Sequence, residues 1–373
     1  MNNKNVKIIL HIDMNAFYAS CAMIREPYLK NKVFAIGGPS GDTNKGVLST
    51  ASYKARALGI NSGMSIADAV KLYPRLLIVP TDFKLYQEKS TQFINLLKEY
   101  STLVEQASID EAYLDITELA KVRHPIEITK EIQKRILEEL SLPTSIGMAP
   151  TLFLAKMGSD YQKPNGLTVL GRRNVKEKLY RLSVRSIYGV GTKTATRLQQ
   201  KGILTIAQFM DGQNEEVIKD VISEKHYHMI VSQLNGDSSN QVEPNRHAIP
   251  KSISHETTLN YPTDDFQTIL DEMNQQIERT INRLNEHKLL AKTVGLKLKY
   301  TDFQTINRST TFFEYSNNEL EMRSAVESLL NDHYNNEPVR LVGVFATNLI
   351  QLDDYLQHRD LFNYHKRAET KKK

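Results

Sequence analysis

The sequence has 373 residues, 40% of them hydrophobic and 24% charged, which is ordinary for a globular protein of two to four domains. Its net charge of +5, from 48 basic and 43 acidic residues, is too small to indicate a nucleic-acid ligand by itself. The single cysteine, Cys21, excludes an intramolecular disulfide, and the absence of an apolar run of ~20 residues or of a signal-like N-terminus predicts a cytoplasmic protein without a membrane partner.

The first part of the chain mixes short strand patterns with helical patterns. A continuous apolar run over residues 7–12 predicts a buried strand, and a helical pattern follows over 16–23. Further strands are predicted over 33–36, 47–51, 76–79, 104–109, 112–116 and 144–148, and further helices over 65–72, 82–100 and 127–139. The irregular order of these elements favours a layered α+β domain over a doubly wound sheet.

The second part begins with short helical patterns over residues 174–236. A polar stretch with two prolines, 237–250, is typical of a linker. A second α/β module then shows a helix over 264–287 and strands over 293–300, 310–315 and 339–348. Residues 246–352 carry 11 basic against 14 acidic residues, so DNA binding by this module requires that its lysines share one face.

Three carboxylates lie at strand ends that are far apart in the chain. Asp13 ends the first predicted strand, and Asp110 and Glu111 separate two others. Carboxylates that come close together repel one another and stay ionised only beside cations or hydrogen-bond donors, and hard oxygen ligands of this kind suit Mg²⁺. Taken alone, either segment also fits a plainer structure, in which Asp13 caps a helix and the Asp-Glu pair occupies a solvated turn.

Four segments in register carry a family resemblance. They are residues 12–19 (IDMNAFYA), 49–56 (STASYKAR), 108–115 (SIDEAYLD) and 163–166 (KPNG). Together they resemble the Y-family translesion DNA polymerases, and most closely the DNA polymerase IV branch of bacteria. The resemblance covers roughly residues 6 to 350.

The resemblance implies an α+β multidomain fold of the right-hand polymerase type. It has a ferredoxin-like palm, small fingers, a helical thumb with a helix-hairpin-helix, and an α/β little finger. The implied bounds are palm 1–16 and 83–170, fingers 17–82, thumb 171–237, linker 238–249, little finger 250–350 and tail 351–373.

The resemblance also implies the chemistry. A monomer would extend a primer on template DNA with dNTPs, as a low-fidelity enzyme of translesion synthesis and DNA repair, since no second acidic cluster suggests a proofreading exonuclease. Two Mg²⁺ ions, with Mn²⁺ as a substitute, would be held by Asp13, Asp110, Glu111 and the carbonyl of Met14.

Four further residues match the family's contacts to the nucleotide phosphates. These are Thr50, Tyr53 and Arg56 in the fingers and Lys163 in the palm. Arginine and lysine suit a polyanion, and the three-residue spacing of Tyr53 and Arg56 puts both on one helix face. The alternative is an amphipathic helix with solvated Lys54 and Arg56.

Tyr18 occupies the position of the family's steric gate, where a ring against the sugar excludes a 2′-hydroxyl and selects dNTPs over ribonucleotides. The alternative is that Tyr18 and its neighbour Phe17 pack in the core, as most aromatic residues do.

Two segments resemble DNA contacts of the family. Gly189, Gly191 and Lys193 match a helix-hairpin-helix, in which glycines allow a close, sequence-independent approach to phosphate. Lys297 and Lys299 alternate with apolar residues and so share one face of a little-finger strand. The alternatives are a plain helix turn and a solvated edge strand.

The tail resembles the peptide that bacterial polymerases dock into their sliding clamp. Gln357, Leu361 and Phe362 would be its contacts, with Gln351 and Leu352 as a weaker alternative. Two departures from the family pattern lie elsewhere, since Asn15 stands where an aspartate is frequent and Lys54 where glutamate is usual.

Two rival functions fit parts of the pattern. A nucleotidyl cyclase shares a similar palm but gives no reason for the hairpin motif and the last module. A non-catalytic scaffold has no need to maintain a costly anionic cluster at Asp13, Asp110 and Glu111.

Overall fold

The computed structural model describes residues 6–38, 46–171, 173–246 and 248–357. Within these ranges the chain forms two compact units that divide after Arg246. None of the helices in the described ranges combines the length and the apolar character that crossing a bilayer requires.

The first unit contains eight strands and eleven α-helices in its described residues. The strands are β1 (Ile9–Met14), β2 (Phe34–Gly37), β3 (Leu48–Ala51), β4 (Leu77–Val79), β5 (Val104–Gln106), β6 (Glu111–Asp115), β7 (Thr144–Ala149) and β8 (Leu167–Val169). The helices are α1 (Phe17–Arg25), α2 (Tyr53–Arg56), α3 (Ile66–Leu72), α4 (Phe83–Lys98), α5 (Pro125–Leu140), α6 (Leu152–Tyr161), α7 (Val175–Leu179), α8 (Thr192–Gln200), α9 (Ile206–Phe209), α10 (Glu215–Lys219) and α11 (Glu224–Leu234).

The larger sheet of this unit has the strand order β5-β6-β1-β7-β8. Strand β1 lies in the middle and pairs antiparallel with β6 on one side and β7 on the other. Because side chains alternate along a strand, one face of β1 carries Leu10 and Ile12, which join the core formed with α4 and α5. The opposite face carries His11 and Asp13, on the side where α6 packs against β1 and β7.

Helix α6 lies unusually close to the sheet. It begins at an N-cap, Thr151, whose hydroxyl accepts a hydrogen bond from the Leu154 N–H. A Cβ on Gly147 of β7 would stand 1.9 Å from the Ala155 carbonyl oxygen and 2.4 Å from the Ser159 nitrogen. The helix backbone therefore occupies the space that a side chain at position 147 would need. Neither α6 nor β8 was predicted from the sequence.

Two smaller assemblies complete the first unit. Strands β2, β3 and β4 form a sheet in the order β3-β2-β4, with a separate apolar core that includes Ile60 and Ile66. Helices α7 to α11 surround a core that continues onto α6 through Leu154 and Met157.

The polar stretch predicted as a linker lies partly against the first unit. Val242 is buried in the core shared by α6 and the helices that follow it, and the Ser239 carbonyl accepts a hydrogen bond from the Leu152 N–H. Arg246 Nε lies 2.6 Å from the buried carboxylate of Glu105. Residues 238–246 are thus attached to the first unit.

The second unit is a four-stranded antiparallel sheet with two long helices. Its elements are β9 (Ser252–Thr263), α12 (Phe266–Glu286), β10 (Leu289–Tyr300), β11 (Thr305–Ser316), α13 (Glu319–His333), β12 (Val339–Gln351) and α14 (Leu352–Gln357). The strand order is β11-β10-β12-β9, so the lysine-bearing β10 is an inner strand and the edge-strand alternative is wrong. Strand β9 was missed because its alternation is mostly polar and only Ile253 is fully buried.

The close packing of α6 on β7 yields a stability prediction. We expect Gly147→Ala to lower the free energy of unfolding of the first unit by about 3 kcal/mol or more, because the new methyl group meets helix backbone that cannot yield like a side chain. Gly212→Ala is the matched control, since a Cβ there meets no atom within 4 Å, and it should change stability by less than about 1 kcal/mol. Urea denaturation of the two variants measures the difference, and equal stabilities would contradict the packing argument.

Candidate active site

A cavity of about 300 Å³ opens beside the carboxyl end of β1. Its walls come from β1 and α1, from β3 and α2, and from the loops that precede β6 and β8. The lining residues are Asp13, Met14, Asn15, Ala16, Phe17, Tyr18, Ser49, Thr50, Tyr53, Arg56, Ser62, Ile109, Asp110 and Lys163. Seven of the predicted site side chains line this cavity, namely those of Asp13, Tyr18, Thr50, Tyr53, Arg56, Asp110 and Lys163.

The pairing of β1 with β6 brings the predicted carboxylates to one place. Asp13 and Glu111 are direct partners in the antiparallel register. The Met14 N–H donates a 3.0 Å hydrogen bond to the Asp110 carbonyl, which fixes the start of β6 beside the end of β1. The Asp110 carboxylate accepts a 2.7 Å hydrogen bond from the Ser108 hydroxyl.

Two lysines neutralise these carboxylates. Lys163 Nζ lies 2.6 Å from Asp13 Oδ2. Lys156 Nζ, on α6, lies 2.6 Å from Glu111 Oε1 and 3.4 Å from the same Asp13 oxygen. Asp160 lies at the outer end of this row and approaches both ammonium groups, at 2.7 Å from Lys163 and 3.2 Å from Lys156.

Burial and neighbouring charges shift the pKa values of the three carboxyl groups in different directions. Burial raises the pKa of Glu111 to about 7, and the neighbouring Asp13 carboxylate adds to the effect. Burial also raises the pKa of Asp110, partly offset by the Ser108 hydrogen bond. For Asp13, burial acts in the same direction, but the Glu111 carboxyl group and Lys163 outweigh it and lower the pKa.

The same environment also shifts the pKa values of two basic groups, Lys156 and His11. Burial opposes the charged form of Lys156, but its carboxylate neighbours, first Asp160 and then Glu111, outweigh burial and raise the pKa of the ammonium. His11 is fully buried beneath the site, where burial and Lys156 lower its pKa to about 3. Its Nδ1 lies 2.8 Å from the Ser159 hydroxyl, while its Nε2 makes no hydrogen bond with any described residue.

In the described parts of the chain, no three His, Cys, Asp or Glu side chains are arranged as a group that could hold a metal ion. Asp13 and Glu111 direct oxygens toward lysine ammonium groups, and Glu111 does not line the cavity. The donor set nevertheless has the right chemistry for a hard divalent ion, because all of its atoms are oxygens and its carboxylates already attract two ammonium groups.

The opposite wall of the cavity presents a cationic and a phenolic side chain. Arg56 Nη2 donates a 3.1 Å hydrogen bond to the Thr50 hydroxyl, and its Nε donates to the Ala51 carbonyl at 3.0 Å. The guanidinium carbon lies 5.1 Å from the centre of the Tyr53 ring. Thr50, at the end of β3, thus meets Tyr53 and Arg56 of the short helix α2, whereas Lys54 is exposed and is not among the lining residues.

Tyr18 both lines the cavity and packs against the core, the two alternatives that the sequence left open. Its ring lines the cavity and also stacks on Tyr86 of α4, with ring centres 4.1 Å apart and planes 15° from parallel. Tyr86 is 1% exposed, so the surface on which Tyr18 rests is part of the core. Phe17, next to it, is buried in that core.

Asn15 anchors the loop that carries Lys163. Its Oδ1 accepts a 2.8 Å hydrogen bond from the Asn165 N–H, and its Nδ2 donates to the Ser145 hydroxyl at 3.0 Å. The side chain is 1% exposed and is held by these contacts. The residue that departs from the family pattern at position 15 therefore holds the loop that carries Lys163.

The remaining predicted residues lie outside this cavity. Gly189 has a φ of 92°, Gly191 is the N-cap of α8, and Lys193 is exposed in its first turn. In the second unit Lys297 Nζ lies 2.6 Å from Glu256 Oε2, and Lys299 Nζ lies 4.8 Å from the centre of the Phe303 ring. Helix α14 ends at Gln357, whose side chain lies outside the described residues, as do Leu361 and Phe362.

Sequence reasoning missed Lys156 and Tyr86. Lys156 belongs to a helix that was not predicted, and only its spacing of seven residues before Lys163, two turns of a helix, could have suggested a shared face. Tyr86 lies within the helix predicted over 82–100, but its contact with Tyr18 depends on how α1 and α4 pack.

Comparison with known proteins gives concordant matches. Residues 12–160 match the model of the impB/mucB/samB family, and residues 250–359 match the model of its C-terminal domain. DNA polymerase IV 1 of Bacillus subtilis (strain 168) is 36% identical over 363 residues, which cover 97% of this chain and 87% of the relative.

The chain is also similar in structure to solved DNA polymerases. A chimera of the Y-family DNA polymerases Dbh and Dpo4 is 27% identical, with a TM-score of 0.82 over 92% of this chain and 99% of the chimera. An insertion ternary complex of Dbh DNA polymerase is 28% identical, with a TM-score of 0.66 over the same shares of the two chains.

The anchoring role of Asn15 can be tested by amide hydrogen exchange. In Asn15→Ala the Asn165 N–H loses its acceptor, so its exchange should quicken by about tenfold, the equivalent of a net hydrogen bond of ~1.4 kcal/mol. Asn15→Asp is the matched control, because it keeps an acceptor oxygen and should retain most of the protection. The Met14 amide, bonded to the Asp110 carbonyl, serves as the internal reference. Equal protection of Asn165 in Asn15→Ala and the native chain would exclude the anchor.

Proposed function

This chain belongs to the impB/mucB/samB family of Y-family DNA polymerases, on the branch of the bacterial DNA polymerases IV, and we propose that the cavity beside β1 is its polymerase active site. It is a DNA-directed DNA polymerase of the translesion type, which adds dNTPs to a primer 3′ end on template DNA. Neither a nucleotidyl cyclase nor a non-catalytic scaffold accounts for these matches. The observation that carries the site assignment is that Asp13, Asp110, Arg56 and Lys163 meet around one cavity.

The family identity implies a divalent metal requirement, and we assign two Mg²⁺ ions, replaceable by Mn²⁺, to the carboxylate end of the cavity. Asp13, Asp110, Glu111 and the Met14 carbonyl are the proposed ligands. Bound to these residues, two divalent ions would supply Lewis-acid activation of the primer hydroxyl and charge neutralisation of the departing pyrophosphate. The carboxylate of Asp13 is central to this assignment, because it lies between the cavity and Glu111 and already binds two ammonium groups.

The cationic side of the cavity is the proposed triphosphate site. Arg56 has its Nε and one Nη committed to backbone and Thr50 oxygens, which orients the guanidinium toward the same space as Tyr53. Lys163 lines the same cavity, and its side chain is 31% exposed, so its ammonium is able to exchange Asp13 for a phosphate oxygen. An oriented arginine and a mobile lysine together suit a polyanion that must bind and leave.

Tyr18 is the proposed steric gate. Its stacking on the buried Tyr86 fixes the ring plane at the edge of the cavity. A ring held in this way excludes an extra hydroxyl on the nucleotide sugar because it cannot swing aside without losing its stacking partner.

The other proposed assignments extend beyond the cavity. We assign the five-stranded sheet to a palm (1–16 and 83–170), the three-stranded sheet to fingers (17–82), helices α7 to α11 to a thumb (171–237), and the second unit to a little finger (250–350). Gly189, Gly191 and Lys193 would contact DNA phosphates through a hairpin whose first glycine has a positive φ.

Further partners are proposed for the last segments of the chain. Lys297 and Lys299 lie on the face of β10 that is turned away from the core and would contact the DNA backbone. Residues 351–373 would bind a sliding clamp through Gln357, Leu361 and Phe362, and the enzyme would act as a monomer in the bacterial cytoplasm.

Asp110→Asn tests the metal assignment. The variant removes one charged ligand at nearly constant size, so primer extension with Mg²⁺ should fall by about 100-fold or more while binding of primer-template persists. Asp68→Asn is the control, because this exposed carboxylate of α3 is bonded only to Ser65 and Lys71 among the described residues and should leave extension within about twofold. Full activity of Asp110→Asn would refute the assignment.

Tyr18→Ala tests the gate. Removal of the ring should raise the ratio of ribonucleotide to deoxyribonucleotide kcat/KM by at least about tenfold, because the side chain that meets the 2′-hydroxyl is gone. Tyr18→Phe keeps the ring and its stacking on Tyr86, and should retain selection. Single-nucleotide incorporation with dNTP and the matching ribonucleotide measures both ratios. An unchanged ratio in the alanine variant would remove the gate role.

A further inference from the structure

Lys156 is a buried charge for which the assigned site gives no role. Its side chain is 9% exposed, and its ammonium is surrounded by carboxylate oxygens at 2.6 Å (Glu111), 3.2 Å (Asp160) and 3.4 Å (Asp13). A buried ammonium is stable only when its charge is compensated in this way, so its position is determined by the acidic residues.

Lys156 differs from Lys163 in the side from which it approaches. Lys163 lines the cavity, whereas Lys156 and the Glu111 side chain that it binds do not. Lys156 extends from α6, which is held against the sheet by its close approach to Gly147. It therefore touches the carboxylates from behind and is not placed to contact a nucleotide in the cavity.

The carboxylates need a cation on this side. Asp13 and Glu111 are direct cross-strand partners, and like charges in that position repel each other. Asp13 is 6% exposed, so water screens the repulsion poorly. Lys156 is within ion-pair distance of both groups and so draws them toward a common point.

We propose that Lys156 is a positioning residue that acts as a permanent counter-ion behind the active site and holds Glu111 turned toward Asp13 before a divalent ion or nucleotide arrives. The proposal rests on the assignment of Asp13 and Glu111 as metal ligands. Lys163 exchanges its carboxylate for substrate, while Lys156 remains in place through the catalytic cycle.

Thermal unfolding of the full-length protein, in chelator and in saturating Mg²⁺, tests this role. In Lys156→Met the acidic cluster loses its internal cation, so in chelator the melting temperature should fall by about 5 °C. Mg²⁺ should restore at least about half of that loss, because a divalent ion supplies the missing charge. Lys156→Arg keeps the charge and should melt close to the native chain. A deficit in Lys156→Met that is the same with and without Mg²⁺ would show a packing role only and would overturn the proposal.

A double-mutant cycle in chelator gives a second readout that needs no catalysis. If Lys156 compensates Glu111, then Lys156→Met combined with Glu111→Gln should lower the melting temperature by less than the sum of the two single changes. Should Lys156→Met fail to fold, the double variant must recover a folded protein. Additive effects, or a double variant that also fails to fold, would contradict the proposal.

Steady-state kinetics separate the two lysines. Lys156→Met should lower kcat by about tenfold with the KM for dNTP within about twofold, whereas Lys163→Met should chiefly raise that KM. A rise in KM in Lys156→Met equal to that of Lys163→Met would overturn the division between them. If instead Asp110→Asn kept full polymerase activity, the metal assignment would fail, while the Lys156–Glu111 cycle in chelator would still report on the ion pair itself.

Discussion

The repulsion between two carboxylates, Asp13 and Glu111, is the interaction that the site of the first unit must compensate. They face each other across adjacent antiparallel strands, where Asp13 is buried and Glu111 is partly buried. Two lysines from different segments relieve this repulsion, one from a helix beneath the sheet and one from a loop at its end. The site is therefore an ionic cluster in which burial, together with the neighbouring Asp13 carboxylate, still raises the pKa of Glu111 to about 7.

This cluster depends on features of the fold that carry no charge. Helix α6 brings Lys156 to the carboxylates because Gly147 allows helix and strand backbones to approach each other closely. The lysine loop is held by Asn15, a buried amide bonded to both Ser145 and Asn165. Gly147 and Asn15 thus determine the positions of the Lys156 and Lys163 ammonium groups. A substitution at either residue would alter the ionic cluster although it removes no charge.

The second unit differs from the first in its charge distribution. It carries more acidic than basic residues, and Lys297 forms an ion pair with Glu256 two strands away, across Gly343 of β12. The sheet face of β10 is therefore of mixed charge, and the Lys299 ammonium beside it lies 4.8 Å from the centre of the Phe303 ring.

The sequence alone determined most of the architecture and the members of the cavity. Apolar runs and helical periodicity predicted β1, α4, α5, β7 and α12, because these elements bury one face or both and so leave a periodic signal. Four motifs in register indicated the family and hence Asp13, Asp110, Arg56 and Lys163. Strand β9 escaped because it buries few side chains and so has no clear apolar alternation.

Only the tertiary structure decided which charges pair. Apart from its seven-residue spacing from Lys163, Lys156 carries no signal in the sequence that distinguishes it from any helical lysine, because its role arises from a helix packed within reach of two strand ends. In the same way, the contact of Tyr18 with Tyr86 and that of Asn15 with Asn165 join residues 68 and 150 positions apart. Ion pairs and stacked rings act over a few ångströms in space, and distance along the chain does not encode them.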